Sequence, residues 1–130
     1  RVLFRSKMKK ILGLAFGLMI TAMSFGQSAI TFTENTTTYN KTTTTDFHFN
    51  LDETITADAI NTNAAYYTDY FNVSSTANNG GHDIVISLVQ DDEMSRKVIQ
   101  RFFVSLQVQN INVDGSDVLI ADFMDTYILK

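Results

Sequence analysis

Asp46 opens a stretch in which Phe47, Phe49 and Leu51 alternate with Asp46, His48 and Asn50, the two-residue period of a strand with one buried face. Asp52-Glu53-Thr54 breaks that period. Thr54 or Thr56 is placed to cap a helix, and Ile60, Ala64, Tyr67 and Phe71 recur at intervals of four, three and four, so a helix is predicted over about 56–70. Two strand-like runs, Phe71 to Ala77 and His82 to Val89, flank Asn78-Asn-Gly-Gly81. These turn residues tolerate positive φ, and a β-hairpin follows. Asp91-Asp92-Glu93 then sets negative charge against the unpaired N–H groups of a second helix. Met94, Val98, Phe102 and Leu106 form its buried stripe, Ile99 and Phe103 widen it, and Arg96, Lys97, Gln100 and Gln107 face out. Ile111 and Val113 alternate with Asn110 and Asn112 in a short strand ending at Asp114-Gly115. Ser116 or Asp117 caps a final helical segment, where Leu119, Phe123, Tyr127 and Ile120, Met124, Ile128 line up at every fourth position.

In order, these elements read strand, helix, strand, hairpin turn, strand, helix, strand, with a C-terminal helix added. That is the split βαβ order, in which two right-handed crossovers set both helices on one face of a four-stranded antiparallel sheet. The expected fold is α+β, a ferredoxin-like βαββαβ two-layer sandwich with an added C-terminal helix. Its open face carries His48, Asn50, Val85, Ser87 and Val89. That face is apolar enough to predict partial cover by the C-terminal helix or by the Thr-rich stretch before Asp46. The order of elements resembles that of the small heavy-metal-associated domains over roughly Asp46 to Val113, in architecture and not in motif. In that family a Met-x-Cys-x-x-Cys loop after the first strand supplies two thiolates to a soft metal. Here the loop is Leu51-Asp-Glu-Thr-Ile-Thr-Ala57 and the chain has no cysteine, so neither the soft-metal role nor any residue of that site carries over.

The N-terminal part divides by composition. Arg1-Val-Leu-Phe-Arg-Ser6 reads as the translation of a sequencing-adapter end. Residues 8–26 read as a signal peptide: Lys9-Lys10, then an apolar run from Ile11 to Phe25, with Ser24 and Gly26 at the cleavage site before Gln27. The run of 15 residues is short of the ~20 that span a bilayer. Residues 27–45 are Thr-rich, with nine threonines between Ser28 and Asp46. Two readings compete for them: a flexible spacer, or an extra N-terminal edge strand that pairs with the next segment through a turn at Asn40-Lys41, which is preferred because threonine is β-branched. Residues 46–130 form the single α+β domain. The glycosylation-like triplets at Asn35, Asn40 and Asn72 carry no functional weight in so Thr- and Asn-rich a chain.

Cutting after Gly26 leaves 104 of the 130 residues, enough for one core. Those residues hold five Lys and Arg against fourteen Asp and Glu, a formal charge of −9. Such a chain is repelled by phosphate backbones and anionic lipid. Nucleic acid is excluded as a partner, and the membrane is met only through the signal peptide before cleavage. The absence of cysteine removes disulfides, thiol nucleophiles and thiolate metal sites.

His48 and His82, with Asp46 or Asp83, could hold a transition metal if adjacent strands brought them together; two surface histidines are the plainer reading. Asp52-Glu53 and Asp91-Asp92-Glu93 precede helices and Asp114-Gly-Ser-Asp117 sits at a turn, so capping and turn preference explain carboxylates that could otherwise bind calcium loosely. Ser74, Ser75, Ser87, Ser95, Ser105 and Ser116 lie in no nucleophile-elbow pattern. Gly80-Gly81 is too short to cradle phosphate. Tyr66 and Tyr70 flank the core positions Tyr67 and Phe71 and form either a contact patch or the rim of the core. No residue is assigned as catalytic, cofactor-binding or metal-ligating, and no cofactor is expected. The expected function is a non-enzymatic exported binding or interaction module of the bacterial envelope, periplasmic or extracellular, with an unidentified protein or small-molecule partner. The alternatives are a metal-responsive protein using carboxylates and histidines and, third, a small envelope enzyme.

Overall fold

A computed structural model describes residues 28–130; the segments expected to be adapter-derived (1–6) and a signal peptide (8–26) lie outside them. The alternation that begins at Phe47 produces β2 (Asp46–Leu51), after a short β1 (Ile30–Phe32). Thr56 caps α1 (Ala57–Ala64) by accepting the Ala59 N–H at 3.1 Å, and a tighter turn (Ala65–Tyr67) completes it. The hairpin β3 (Phe71–Asn78) and β4 (Gly81–Leu88) follows. Asn79 and Gly80, at φ 52° and 87°, make the left-handed pair that a two-residue hairpin requires. Asp92 caps α2 (Glu93–Ser105) through the Ser95 N–H at 2.7 Å. The chain ends in β5 (Asn110–Val113), β6 (Ser116–Leu119) and α3 (Ile120–Phe123), which continues as a wider turn over Met124–Ile128.

The six strands among the described residues form one sheet in the order β3-β4-β2-β1-β5-β6. The α+β, ferredoxin-like arrangement is present in β2, α1, β3, β4, α2 and β5, with one change at its centre. In the four-stranded pattern β5 would lie directly beside β2. Here β1 lies between them, antiparallel to β2 (Thr31 opposite Asn50) and parallel to β5 (Ile30 opposite Ile111). The extra N-terminal strand therefore exists but is interior, not at the edge. Ile30 and Phe32 are buried on the core face, and a strand with two neighbours buries more apolar surface than one at a rim.

The second difference lies at the C-terminus. The helix expected from Ser116 starts only at Ile120, because Asp114 (φ 52°) and Gly115 (φ 87°) repeat the geometry of the first hairpin and turn Ser116–Leu119 back onto β5. Asp-Gly is a strong hairpin dipeptide, and it overrides the helical spacing at Leu119, which is 60% exposed. Past Ile120 the expected stripe holds, with Ile120, Phe123, Met124 and Ile128 buried.

The three helices lie on one face. Phe49 meets Phe103 at 5.0 Å and Phe123 at 5.9 Å, Phe32 meets Phe123 at 5.0 Å, and Phe71 meets Phe102 at 5.8 Å between ring centroids. On α2 the predicted stripe holds at Val98, Ile99, Phe102, Phe103 and Leu106 and fails only in the first turn. Met94 is 51% exposed, whereas Ser95 and Arg96 are buried in the first turn ahead of Val98, Ile99, Phe102 and Phe103. Among the described residues no helix is long and apolar enough to cross a membrane.

Candidate functional site

Among the described residues no helix lies on the second face of the sheet, and the Thr-rich segment touches it only through Ser28 and Glu34. Strand parity sends Asp46, His48 and Asn50 of β2, Asp83, Val85 and Ser87 of β4, and the even-numbered residues of β3 to the side opposite the helices, and none of them is buried. The C-terminal helix, expected as a possible cover, packs on the core face through Phe123. The face is more polar than expected, because β3, β1 and β5 contribute Ser74, Thr76, Thr31 and Asn112.

Its side chains hold one another. Asp83 accepts from Asn50 Nδ2 at 2.8 Å and Asn78 Nδ2 at 2.9 Å, so both carboxylate oxygens are used. Asp117 accepts from Ser28 Oγ at 2.9 Å and Asn112 Nδ2 at 3.2 Å. Glu34 reaches onto the face from the Thr-rich segment, its Oε2 lying 2.6 Å from His48 Nδ1 and 3.1 Å from the His48 backbone N. Glu34, Asp46, Asp83 and Asp117 make the face acidic. All five Lys and Arg among the described residues lie elsewhere, at Lys41, Arg96, Lys97, Arg101 and Lys130.

The histidines do not meet. His48 faces outward opposite Val85, while His82 pairs with Leu51 and shares the parity of Ile84, on the core side. A single metal ion cannot bridge opposite faces of a sheet, and no group of three His, Asp or Glu suited to a metal occurs among the described residues. His82 Nδ1 is buried without a hydrogen-bond partner among the described residues. The acidic loops are committed to structural hydrogen bonds, two of them local and one long-range. Asp52 Oδ1 accepts the Thr54 N–H at 2.9 Å, Asp92 caps α2, and Asp114 accepts Thr36 Oγ1 at 2.6 Å. The Ser95 N–H holds the Asp92 carboxyl below its ordinary pKa.

Arg96 closes the opposite side of the molecule. It is 1% exposed, and its guanidinium donates to the carbonyls of Thr44 at 2.7 Å, Lys41 at 2.9 Å and Ile128 at 2.7 Å. Its Nε and Nη2 reach Asp91 at 2.7 and 3.2 Å, and its Cζ lies 5.4 Å from the centre of the Phe47 ring. Hydrogen bonds from Arg96 and Lys130 pull the Asp91 carboxyl down to about 2. A groove of about 540 Å³ lies alongside, bordered by Asp91, Lys97, Asp125 and Lys130. The hydropathy stripe predicts Arg96 facing out; burial is possible because every direction of its planar fork is met by a carbonyl or carboxylate. The clasp ties the Thr-rich segment, the second helix and the C-terminus together.

The Thr-rich segment is ordered for a related reason. Asn35 Oδ1 accepts the Thr37 N–H at 3.0 Å and Asn40 Oδ1 accepts the Thr42 N–H at 3.0 Å, so the repeat Asn35-Thr-Thr-Thr-Tyr39, Asn40-Lys-Thr-Thr-Thr44 makes two successive Asx turns. Tyr39 then packs edge-on against Phe32 at 5.2 Å and donates to the Tyr127 carbonyl. Of the tyrosine cluster, Tyr67 stacks on Phe71 at 5.6 Å, Tyr70 is half-buried, and Tyr66 is 76% exposed. Comparison with protein-family models, with curated proteins and with solved structures gave no match to this chain.

Proposed function

We propose that the chain is a non-enzymatic module exported behind Met8–Gly26, which works in the bacterial envelope by binding a neutral-to-basic protein surface with the bare face of its sheet. The observation that carries this reading is the ordered, uncovered polar face. Asp83 and Asp117 are fixed by Asn50, Asn78, Asn112 and Ser28, so carboxylates are presented without the entropy cost of ordering them on contact. Charge complementarity selects the partner: among the described residues four carboxylates and no Lys or Arg lie on the face, which favours a basic surface and repels phosphate. No Phe, Tyr or Trp stands among the strand positions of that face, so the broad rings on which sugars or bases stack are missing from it.

The non-enzymatic part rests on the engagement of the candidate groups. His48 is taken by Glu34, Ser105 Oγ donates to the Phe102 carbonyl at 2.6 Å, and no serine is hydrogen-bonded to a histidine among the described residues. The test is an amide NMR titration with a lysine-rich decapeptide as probe. Shifts are expected around Asp46, Asp83 and Asp117, fading at about 0.5 M salt. Shifts confined to Asp91, Asp92, Asp122 and Asp125, or no shifts, would overturn the assignment of the face.

A further inference from the structure

β3 ends the sheet on one side, and among the described residues no strand or charged side chain guards its outer edge. Eight residues pair with β4 without a bulge, from Phe71 opposite Leu88 to Asn78 opposite Gly81. The sequence Phe-Asn-Val-Ser-Ser-Thr-Ala-Asn contains no proline and no charge. Natural sheets normally blunt such an edge with a lysine, a proline, a bulge or a short strand. The other edge is blunted in this way: β6 has four residues, includes Asp117, and runs straight into α3.

Which backbone groups face outward follows from the ladder. The Val89 N–H donates to the Tyr70 carbonyl at 3.0 Å, and this pair continues the β3–β4 register. Hydrogen-bonded pairs alternate in an antiparallel ladder, so Asn72, Ser74 and Thr76 bond to β4. The N–H and C=O of Phe71, Val73, Ser75 and Ala77 point away from the sheet, and no backbone group outside the ladder meets them among the described residues.

We infer that this edge pairs with the same edge of a second copy of the chain, antiparallel and around a two-fold axis, to make one continuous sheet. Self-pairing is favoured over a foreign strand because one register satisfies the whole edge. With Ser74 opposite its own copy on the axis, Val73 faces Ser75 and Phe71 faces Ala77, so all four outward residues bond at once. Across the seam every side chain is small or uncharged, in a chain that is elsewhere strongly acidic. The strand itself brings no carboxylate to the seam between Phe71 and Ala77. The contact is one strand wide, so the dimer is weak, with a dissociation constant on the order of 10 to 100 µM. The bare polar faces of the two copies would become continuous. The inference does not depend on what that face binds.

The experiment is sedimentation equilibrium of the chain from Gln27, which contains the complete core described above, at concentrations up to about 500 µM. Reversible dimerisation is expected. Ser74 is exposed, so Ser74→Lys and Ser74→Asp should each weaken the dimer about five-fold by setting like charges opposite each other, and an equimolar mixture of the two should restore it. Ser75→Pro removes an N–H that β4 does not use and should abolish the dimer while leaving a folded monomer. A wild-type chain that stays monomeric throughout, or a dimer indifferent to both the Ser74 charges and Ser75→Pro, would overturn the inference.

Discussion

Replacing Arg96 by methionine keeps the apolar stem of the side chain and removes the guanidinium. Three carbonyls, those of Lys41, Thr44 and Ile128, then lose their donor in a site where Arg96 is 1% exposed. At about 1 kcal/mol for each lost hydrogen bond this gives roughly 3 kcal/mol. Loss of the contact with Phe47 adds about 0.5–1 kcal/mol. The pair with Asp91 adds less, because that carboxylate is part-exposed and solvent screens it. The expected destabilisation is therefore about 3–5 kcal/mol, in the range for breaking a buried pair from one side. For a domain of this size it lowers the melting temperature by about 15–30 °C. Urea unfolding followed by far-ultraviolet circular dichroism reads it directly. Lys97→Met is the control: Lys97 is exposed and pairs only with Glu93 across one helical turn, so its loss should cost under about 0.5 kcal/mol. An Arg96→Met chain within about 1 kcal/mol of wild type would refute the view that this residue joins the Thr-rich segment to the C-terminus.

Asp91 sits at about 2 in the folded chain, below the ordinary ~3.9, so its contribution is complete above about pH 4 and is lost as the pH falls toward 2. Urea midpoints measured across that window should fall for wild type and fall less for Asp91→Asn. Tyr39 is shifted the opposite way, upward, by burial first and by Glu34 second. The stability that depends on its protonated phenol is intact below about pH 10 and declines above it. Tyr39→Phe should remove that alkaline slope in a pH series of thermal melts, at a cost of about 1 kcal/mol near neutrality from the lost bond to Tyr127. Finally, a Cβ at Gly81 would stand 2.2 Å from the Leu51 carbonyl oxygen, whereas one at Gly115 would meet nothing within 4 Å. Gly115→Ala should cost about 1 kcal/mol for its positive φ. Gly81→Ala should cost clearly more, and equal losses in chemical denaturation would contradict the close approach of β4 to β2.

Most of the ladder was legible because its signals are local. Phe47, Phe49 and Leu51 alternate without interruption, Asn78 to Gly81 has the residues a tight turn demands, and α2 is long enough for its stripe to show. The insertion of β1 was not legible. Three residues carry too little periodicity to be read, and the pairing of Ile30 with Ile111 joins segments far apart in sequence, a choice made by tertiary burial. The Asp114-Gly115 turn was legible and was outweighed, wrongly, by the four-residue spacing through Leu119. Arg96 shows a different limit. A hydropathy stripe assigns a charged residue outward, and only the convergence of three carbonyls from distant segments makes the inward position stable. The repeated Asn-x-Thr-Thr pattern at Asn35 and Asn40 was the available sign that the Thr-rich segment folds back in turns.

The division of the sheet into a covered and a bare face underlies the proposed function, and solvent paramagnetic relaxation tests it most directly. With a neutral gadolinium chelate and methyl-labelled protein, Val85 reports one face, while Ile84 and Ile86, at 1% and 0% exposure, report the other. Strong relaxation at the Val85 methyls with protection at both isoleucines is the expected result. Equal protection at all three would mean that something lies on the second face and that it is not free to bind.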